Sequence, residues 1–127
     1  MGLVPMINLA LPYPPTINSY WRSARVGKGV KVYISDKGQQ FRVDTMVAVL
    51  RAKANKQLST RLSVEVHLHP ADKRKRDIDN VLKSLLDALG HAGVYVDDSQ
   101  IDKLTVLRKG NVKGCQCQVF ISECAHD

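Results

Sequence analysis

Four consecutive cations, Lys73, Arg74, Lys75 and Arg76, run directly into two carboxylates, Asp77 and Asp79, with Asn80 behind them. The cations suit a phosphate backbone, whereas bare carboxylates repel one. Acids set in basic surroundings make chemical sense when a divalent cation stands between them and a phosphate. Mg²⁺ favours such company: one or two carboxylates, several waters and a substrate phosphate complete its octahedron. A second acidic pair, Asp97-Asp98, follows Val94-Tyr95-Val96. A short helix with a tight return would bring this pair back beside the first, so three or four carboxylates are expected to converge. Converging carboxylates raise one another's pKa unless a cation intervenes. Each piece alone has a plainer explanation. Asp77 and Asp79 stand where helix caps and first-turn acids belong. Asp79 and Lys83 make an i, i+4 ion pair of the favourable order. Asp97-Asp98-Ser99 is a competent turn, and the basic run reads as a solvated loop. The juxtaposition is what points to a nuclease-like metal site.

The elements that must position these residues follow from periodicity. Residues 4–11 read as a strand, ended by Pro12-Tyr13-Pro14-Pro15. Residues 22–31 mix Arg22, Arg25, Lys28 and Lys31 with glycines and suggest a mobile basic loop. A helix starts near Ser35 or Asp36 and runs to about Lys56, carrying Phe41, Met46, Val47, Val49 and Leu50. Residues 61–69 alternate apolar and polar as a half-buried strand does. Ile78, Val81, Leu82, Leu85, Leu86 and Leu89 form one apolar helical stripe over 78–89, with Asp79, Lys83 and Asp87 on the polar side. Gly90 and Gly93 supply its stop. Residues 101–109 and 115–122 read as two further strands joined by a hairpin connection at 110–114. The expectation is a single small α/β (α+β) domain over 1–127, in the order β-α-β-α-β-β. Its sheet is mixed or mainly antiparallel, with helices packed on a face.

Bulk properties agree with a polyanion partner. Nineteen Lys and Arg against twelve Asp and Glu give a net charge of +7 in 127 residues, and such a surface draws nucleic acid through counterion release. No stretch approaches the roughly 20 apolar residues of a membrane span. The apolar start lacks a basic leader and runs into prolines, so a cytoplasmic protein without a membrane association is expected. Cys115, Cys117, Cys124 and His126 could be read as a C-x-C…C-x-H zinc site. Cys124 has the opposite strand parity from Cys115 and Cys117, so reduced structural cysteines are expected instead.

Leu11-Pro12-Tyr13-Pro14-Pro15-Thr16-Ile17-Asn18, followed by Tyr20 and Trp21, resembles the opening of RusA-type Holliday junction resolvases. Ser35 and Gly38-Gln39-Gln40-Phe41-Arg42 resemble that family's entry to its first helix. Arg76-Asp77-Ile78-Asp79-Asn80, Lys83, Asp87-Ala88-Leu89 and Gly93 through Asp97-Asp98 resemble its central signature. The similarity runs in order along nearly the whole chain. It implies metal-binding aspartates at Asp77, Asp79 and Asp98, a catalytic lysine at Lys83, and Mg²⁺ as cofactor with Mn²⁺ able to substitute. No small-molecule cofactor is implied. DNA contacts are implied at Thr16, Ile17, Asn18 and Ser19, and at Lys73, Arg74, Lys75, Arg76 and Asn80. Thr16 replaces the usual Ser, and Ile17 is apolar where a polar residue is found. The partner implied is four-way junction DNA bound by a homodimer, in a protein of bacterial or phage origin. Two other functions fit the residues: a nucleic-acid-binding module whose aspartates are only caps and turns, and a metal nuclease for flaps or structured RNA.

Overall fold

Alternation builds the sheet. In the computed structural model, which describes residues 6–110 and 116–124, strand β4 (Leu62–His69) buries Leu62, Val64, Val66 and Leu68 and leaves Ser63, Glu65 and His67 half-buried. Strands β1 (Ile7–Pro12) and β6 (Gln116–Glu123) repeat the pattern. Their registers align buried residues in rows: Ile7 with Ile121 and Val64, Leu9 with Val119 and Val66, Leu11 with Cys117 and Leu68. Each fully buried aliphatic side chain contributes about 1.5–3 kcal/mol, so these rows set the register. A slip of one residue would turn all of them out of the core.

The sheet order is β1-β6-β4-β5, with β5 (Ile101–Arg108) parallel to β4 and the other pairs antiparallel. The sheet is thus mixed, as expected, but the hairpin expected between the last two strands does not form. β4 lies between β5 and β6, because its fully apolar face belongs at the centre of the sheet. Of the connecting residues, 111–115 lie outside the described residues.

Helices α2 (Asp36–Arg51) and α3 (Leu82–His91) pack against one another, and α2 packs on β1. Ser35 caps α2 by accepting a hydrogen bond from the Gly38 backbone N–H at 3.0 Å. Gly38 is required there, since a Cβ would lie 2.5 Å from the Tyr20 carbonyl oxygen. α2 ends at Arg51, short of the expected Lys56, because Lys53 takes a left-handed conformation with φ 55°. The α3 region opens with a 3₁₀ turn, Asp79–Val81. Its buried face is Val81, Ser84, Leu85, Ala88 and Leu89, whereas Ile78 is exposed. The small Ser84 and Ala88 on this face leave room for the neighbouring elements.

Residues 22–31 are not a mobile loop. They fall in an antiparallel hairpin of β2 (Trp21–Val26) and β3 (Gly29–Ile34), preceded by the one-turn helix α1 (Ile17–Tyr20). Gly27, at φ 58°, supplies the positive φ that a two-residue hairpin turn needs. Val26, Val30, Val32 and Tyr33 carry the strand propensity that the surrounding cations and glycines masked. No helix among the described residues is long and apolar enough to cross a membrane. Cys117 is a buried free thiol on β6, and Cys124 is also free. Cys115 and His126 lie outside the described residues.

Candidate active site

The proline segment after β1 is tied to the start of α3. The Ser84 hydroxyl lies 2.6 Å from the Pro15 carbonyl oxygen and 2.9 Å from that of Val81. Thr16, which precedes α1, donates to the Ser19 hydroxyl at 3.1 Å. The Ser35 hydroxyl donates to the Ser19 carbonyl. These bonds hold the proline segment at the start of α3 and tie Thr16 and Ser19 to one another and to Ser35. The result is a cleft of about 390 Å³ lined by, among others, Tyr13, Pro15, Thr16, Ser19, Lys37, Lys75, Arg76, Asp77 and Asn80. Six residues singled out in the sequence therefore share one cleft: Thr16, Ser19, Lys75, Arg76, Asp77 and Asn80. Ile17 and Asn18 are exposed on α1 and do not line it. Lys37 and Ser84 carry no motif and were not anticipated. A buried serine on an otherwise apolar helix face was the only signal for Ser84.

The basic run divides into two kinds of cation. Asp72 accepts from the Arg74 backbone N–H at 2.9 Å and from the Arg74 side chain at 3.0 Å. It also accepts from Arg76 at 2.7 Å. Arg76, followed by Arg74, holds the Asp72 carboxyl well below the usual carboxylate range. The Arg76 guanidinium also lies 5.9 Å over the Tyr13 ring, and Arg108 donates to the Arg76 carbonyl. Arg74 and Arg76 thus brace the loop. Lys73 and Lys75 are exposed and in no ion pair among the described residues. Lys83 makes no ion pair with Asp79; its ammonium lies 5.8 Å over the Trp21 ring at the base of the hairpin.

A second cavity, of about 350 Å³, is lined by Arg42, Leu86, Asp87, Gly90, His91, Tyr95, Val96, Asp97 and Asp98. Two of its three carboxylates are already committed. Asp87 accepts from the Tyr20 hydroxyl at 2.5 Å and from Arg42 at 2.8 Å, and burial followed by Asp87 pushes the Tyr20 pKa up to about 12. Asp97 caps the 3₁₀ turn Asp98–Gln100 in a capping box with Gln100. The Ser99 hydroxyl bonded to it lowers its pKa. Gln100 in turn donates to the Leu58 and Thr60 carbonyls, at 2.7 and 2.9 Å. Asp98 remains exposed, neither a cap nor in an ion pair among the described residues. Burial, then Asp98, Asp87 and Asp97, raises the pKa of Tyr95, whose hydroxyl donates to the Leu86 carbonyl at 2.5 Å.

The expected convergence of the two acidic pairs does not occur within one chain. Asp77 and Asp79 stand before α3, while Asp98 shares a cavity with Asp87. From Asp79 to Asp87 the helix rises by roughly 12 Å. The chain then pairs Tyr95 with Leu58, and Asp98 lines its cavity with Leu86, Asp87, Gly90 and His91 of the later part of α3. Among the described residues no three His, Cys, Asp or Glu side chains are grouped to hold a metal. The carboxylate oxygens suit a hard cation, but their placement within one chain does not suit one ion.

Comparison with known proteins adds an independent line. The family model for Endodeoxyribonuclease RusA matches residues 12–122. The chain is 42% identical over 113 residues to a crossover junction endodeoxyribonuclease rusA of Enterobacteria phage HK97, covering 89% of this chain and 91% of that relative. It is 30% identical over 120 residues to the crossover junction endodeoxyribonuclease RusA of Shigella sonnei, and 29% identical over 120 residues to that of Escherichia coli K12. Each of these two alignments covers 94% of this chain and 97% of the relative.

Proposed function

This chain belongs to the RusA family of endodeoxyribonucleases, and from that premise we propose that it cuts four-way junction DNA hydrolytically, with Mg²⁺ or Mn²⁺, as a symmetric homodimer. The observation that carries this proposal is the division of the carboxylates. Asp77 opens into a cleft lined by Lys75, Arg76, Thr16 and Asn80, which are groups that bind phosphate. Asp98 opens into an acidic cavity elsewhere on the chain. Two copies related by a two-fold axis can place Asp77 and Asp79 of one beside Asp98 of the other, giving two equivalent sites. A junction needs two symmetric nicks to be resolved into duplexes, and two equivalent sites meet that need. The apolar stripe Val43, Val47 and Leu50 on α2 is 41–55% exposed. It supports pairing of copies, because Arg42 and His91 line both the Asp98 cavity and the adjoining hollow that contains Val43 and Val47.

In this reading Lys75, Thr16 and Asn80 hold the backbone of the strand to be cut. Lys83, steered by the Trp21 ring, stabilises charge on the phosphoryl oxygens. Asp77, Asp79 and Asp98 would hold a divalent ion, which would supply the remaining electrostatics and lower the pKa of an attacking water. Relatives in phages and enteric bacteria support action in the bacterial cytoplasm, where chromosomal and phage DNA lie.

The test is cleavage of a synthetic four-way junction with Mg²⁺, with Mn²⁺ and with EDTA, beside flap, duplex and structured RNA substrates. Mn²⁺ binding is followed by electron paramagnetic resonance, and mass by sedimentation. The expected result is symmetric nicking of the junction in metal alone, by a dimer that binds Mn²⁺. Equal cutting in EDTA would remove the metal, and preferential cutting of flaps or RNA would remove the junction. Full activity from a sedimenting monomer would remove the dimer.

A further inference from the structure

The β2–β3 hairpin is the most cationic described feature that no motif explains. Between Trp21 and Ile34 the sequence holds Arg22, Arg25, Lys28 and Lys31 and no acidic residue. All four are exposed, and none is in an ion pair among the described residues. Four of the six other arginines are ion-paired: Arg42 with Asp87, Arg61 with Asp102, and Arg74 and Arg76 with Asp72. The hairpin's positive charge is therefore uncompensated, whereas half of the basic run is spent bracing its own loop.

Register decides what shape of partner this charge suits. Arg25 pairs with Val30 and Ser23 with Val32, so these four share one face of the ribbon. Arg22 pairs with Tyr33 and Ala24 with Lys31, which puts two cations on the opposite face. Lys28 sits in the turn. A ribbon charged on both faces and at its tip suits a groove walled by phosphates on both sides better than a flat surface. A two-stranded ribbon fits the roughly 12 Å width of the DNA major groove, and six-residue strands reach about 20 Å. Val30 and Val32, on one face, are 69% and 63% exposed and would face base edges and thymine methyls there. A second copy of this chain is a poor occupant, because like hairpins repel and lysine is depleted from protein–protein interfaces.

We infer that the hairpin is a DNA arm that enters the major groove of one junction arm beside the cut site, with Arg22, Arg25, Lys28 and Lys31 on the flanking phosphates. The inference rests on the junction reading above and extends it to a surface outside the carboxylate site. Its base also carries the ring against which Lys83 is placed, so seating the arm in a groove would fix Trp21 and hence Lys83.

The experiment compares the wild type with a variant carrying Arg22→Gln, Arg25→Gln, Lys28→Gln and Lys31→Gln. Junction affinity is measured by fluorescence anisotropy over a salt series, with sedimentation and thermal melting on both proteins. The log–log salt slope should fall by about 0.9 for each phosphate that is no longer neutralised, and by about 3 if most of the four cations sit on phosphates. Affinity near 0.1 M salt should fall at least tenfold, with Tm and dimer mass unchanged. Single substitutions should each lower the slope by up to about 0.9, which keeps the test valid if the fourfold variant melts early. A wild type that cuts junctions beside a variant of unchanged slope would overturn the arm and leave the junction reading standing. Loss of the dimer in the variant would overturn it in favour of an interface between copies. A wild type that neither binds nor cuts junctions would overturn both.

Discussion

The cleft under the proline segment and the cavity under Tyr95 are similar in size, about 390 and 350 Å³, and opposite in chemistry. The cleft sets one carboxylate, Asp77, among Lys37, Lys75 and Arg76. The cavity sets Asp87, Asp97 and Asp98 around Arg42 and His91. Counting charges would make the cavity the metal site, yet Asp87 is held by Tyr20 and Arg42, and Asp97 is spent as a cap. Each hollow thus offers only part of a ligand set. The difference teaches that carboxylates are available to a metal only when no neighbour already uses them. In the function proposed above, one chain would therefore carry two half-sites.

The sharpest way to break this comparison is complementation. Asp77→Asn, Asp79→Asn and Asp98→Asn should each lower junction cleavage by about a thousandfold or more, a loss of roughly 4 kcal/mol or more in transition-state stabilisation. Junction binding should be preserved. Mixed Asp77→Asn and Asp98→Asn chains should then regain nicking. In the mixed dimer one composite site lacks both ligands and the other is intact. If each site lay within one chain, the mixture would stay dead. Recovery, read as single nicks on a labelled junction, therefore separates the two arrangements.

A smaller effect sharpens the contrast within the basic run. Lys73→Gln with Lys75→Gln should reduce the salt slope of junction binding by about 1.8, or 0.9 per phosphate. Arg74→Gln should change it less, because Asp72 already neutralises that guanidinium. A fall of about 0.9 for Arg74→Gln, the same as for each lysine, would mean that Asp72 releases its arginine when DNA binds.

Ser84→Ala tests how the cleft is assembled. It removes the bond to the Pro15 carbonyl and should cost about 1–3 kcal/mol, read as a fall of several degrees in Tm. Junction affinity should fall with it as Thr16 and Ser19 lose their anchor. Unchanged affinity in a destabilised variant would show that the proline segment is held by other interactions.

The smallest effect lies at high pH. Burial pushes the Cys117 thiol from 9.0 to about 12 and the Tyr20 phenol from 10.0 to about 12, and Tyr95 shifts in the same direction. The unfolded chain releases these protons first. These three groups therefore leave stability unaffected below about pH 9 and lower it as pH rises from about 9 to about 12. Tyr20→Phe should flatten part of that fall above pH 10 in a Tm–pH series. An identical profile in the variant would place the loss elsewhere.

Much of this was legible in the chain. The alternation in β4 and β6, the cap at Ser35 and the apolar spacing in α3 are local signals, decided by side-chain period and capping chemistry. The cations and carboxylates from Lys73 to Asn80 were legible for the same reason, since residue type and spacing state their chemistry without a fold. The β2–β3 ribbon was not, because strand propensity in Val30, Val32 and Tyr33 was outweighed by neighbouring glycines and cations. The place of β4 between β5 and β6, the commitment of Asp87 and Asp97, the bracing of Arg74 and Arg76, and the distance of Asp98 from Asp77 were decided by tertiary structure alone. They depend on which groups meet across long stretches of chain. Pairing on both edges of β4 and the Leu58–Tyr95 bridge determine where Asp98 is delivered, and no local pattern in the sequence encodes that separation.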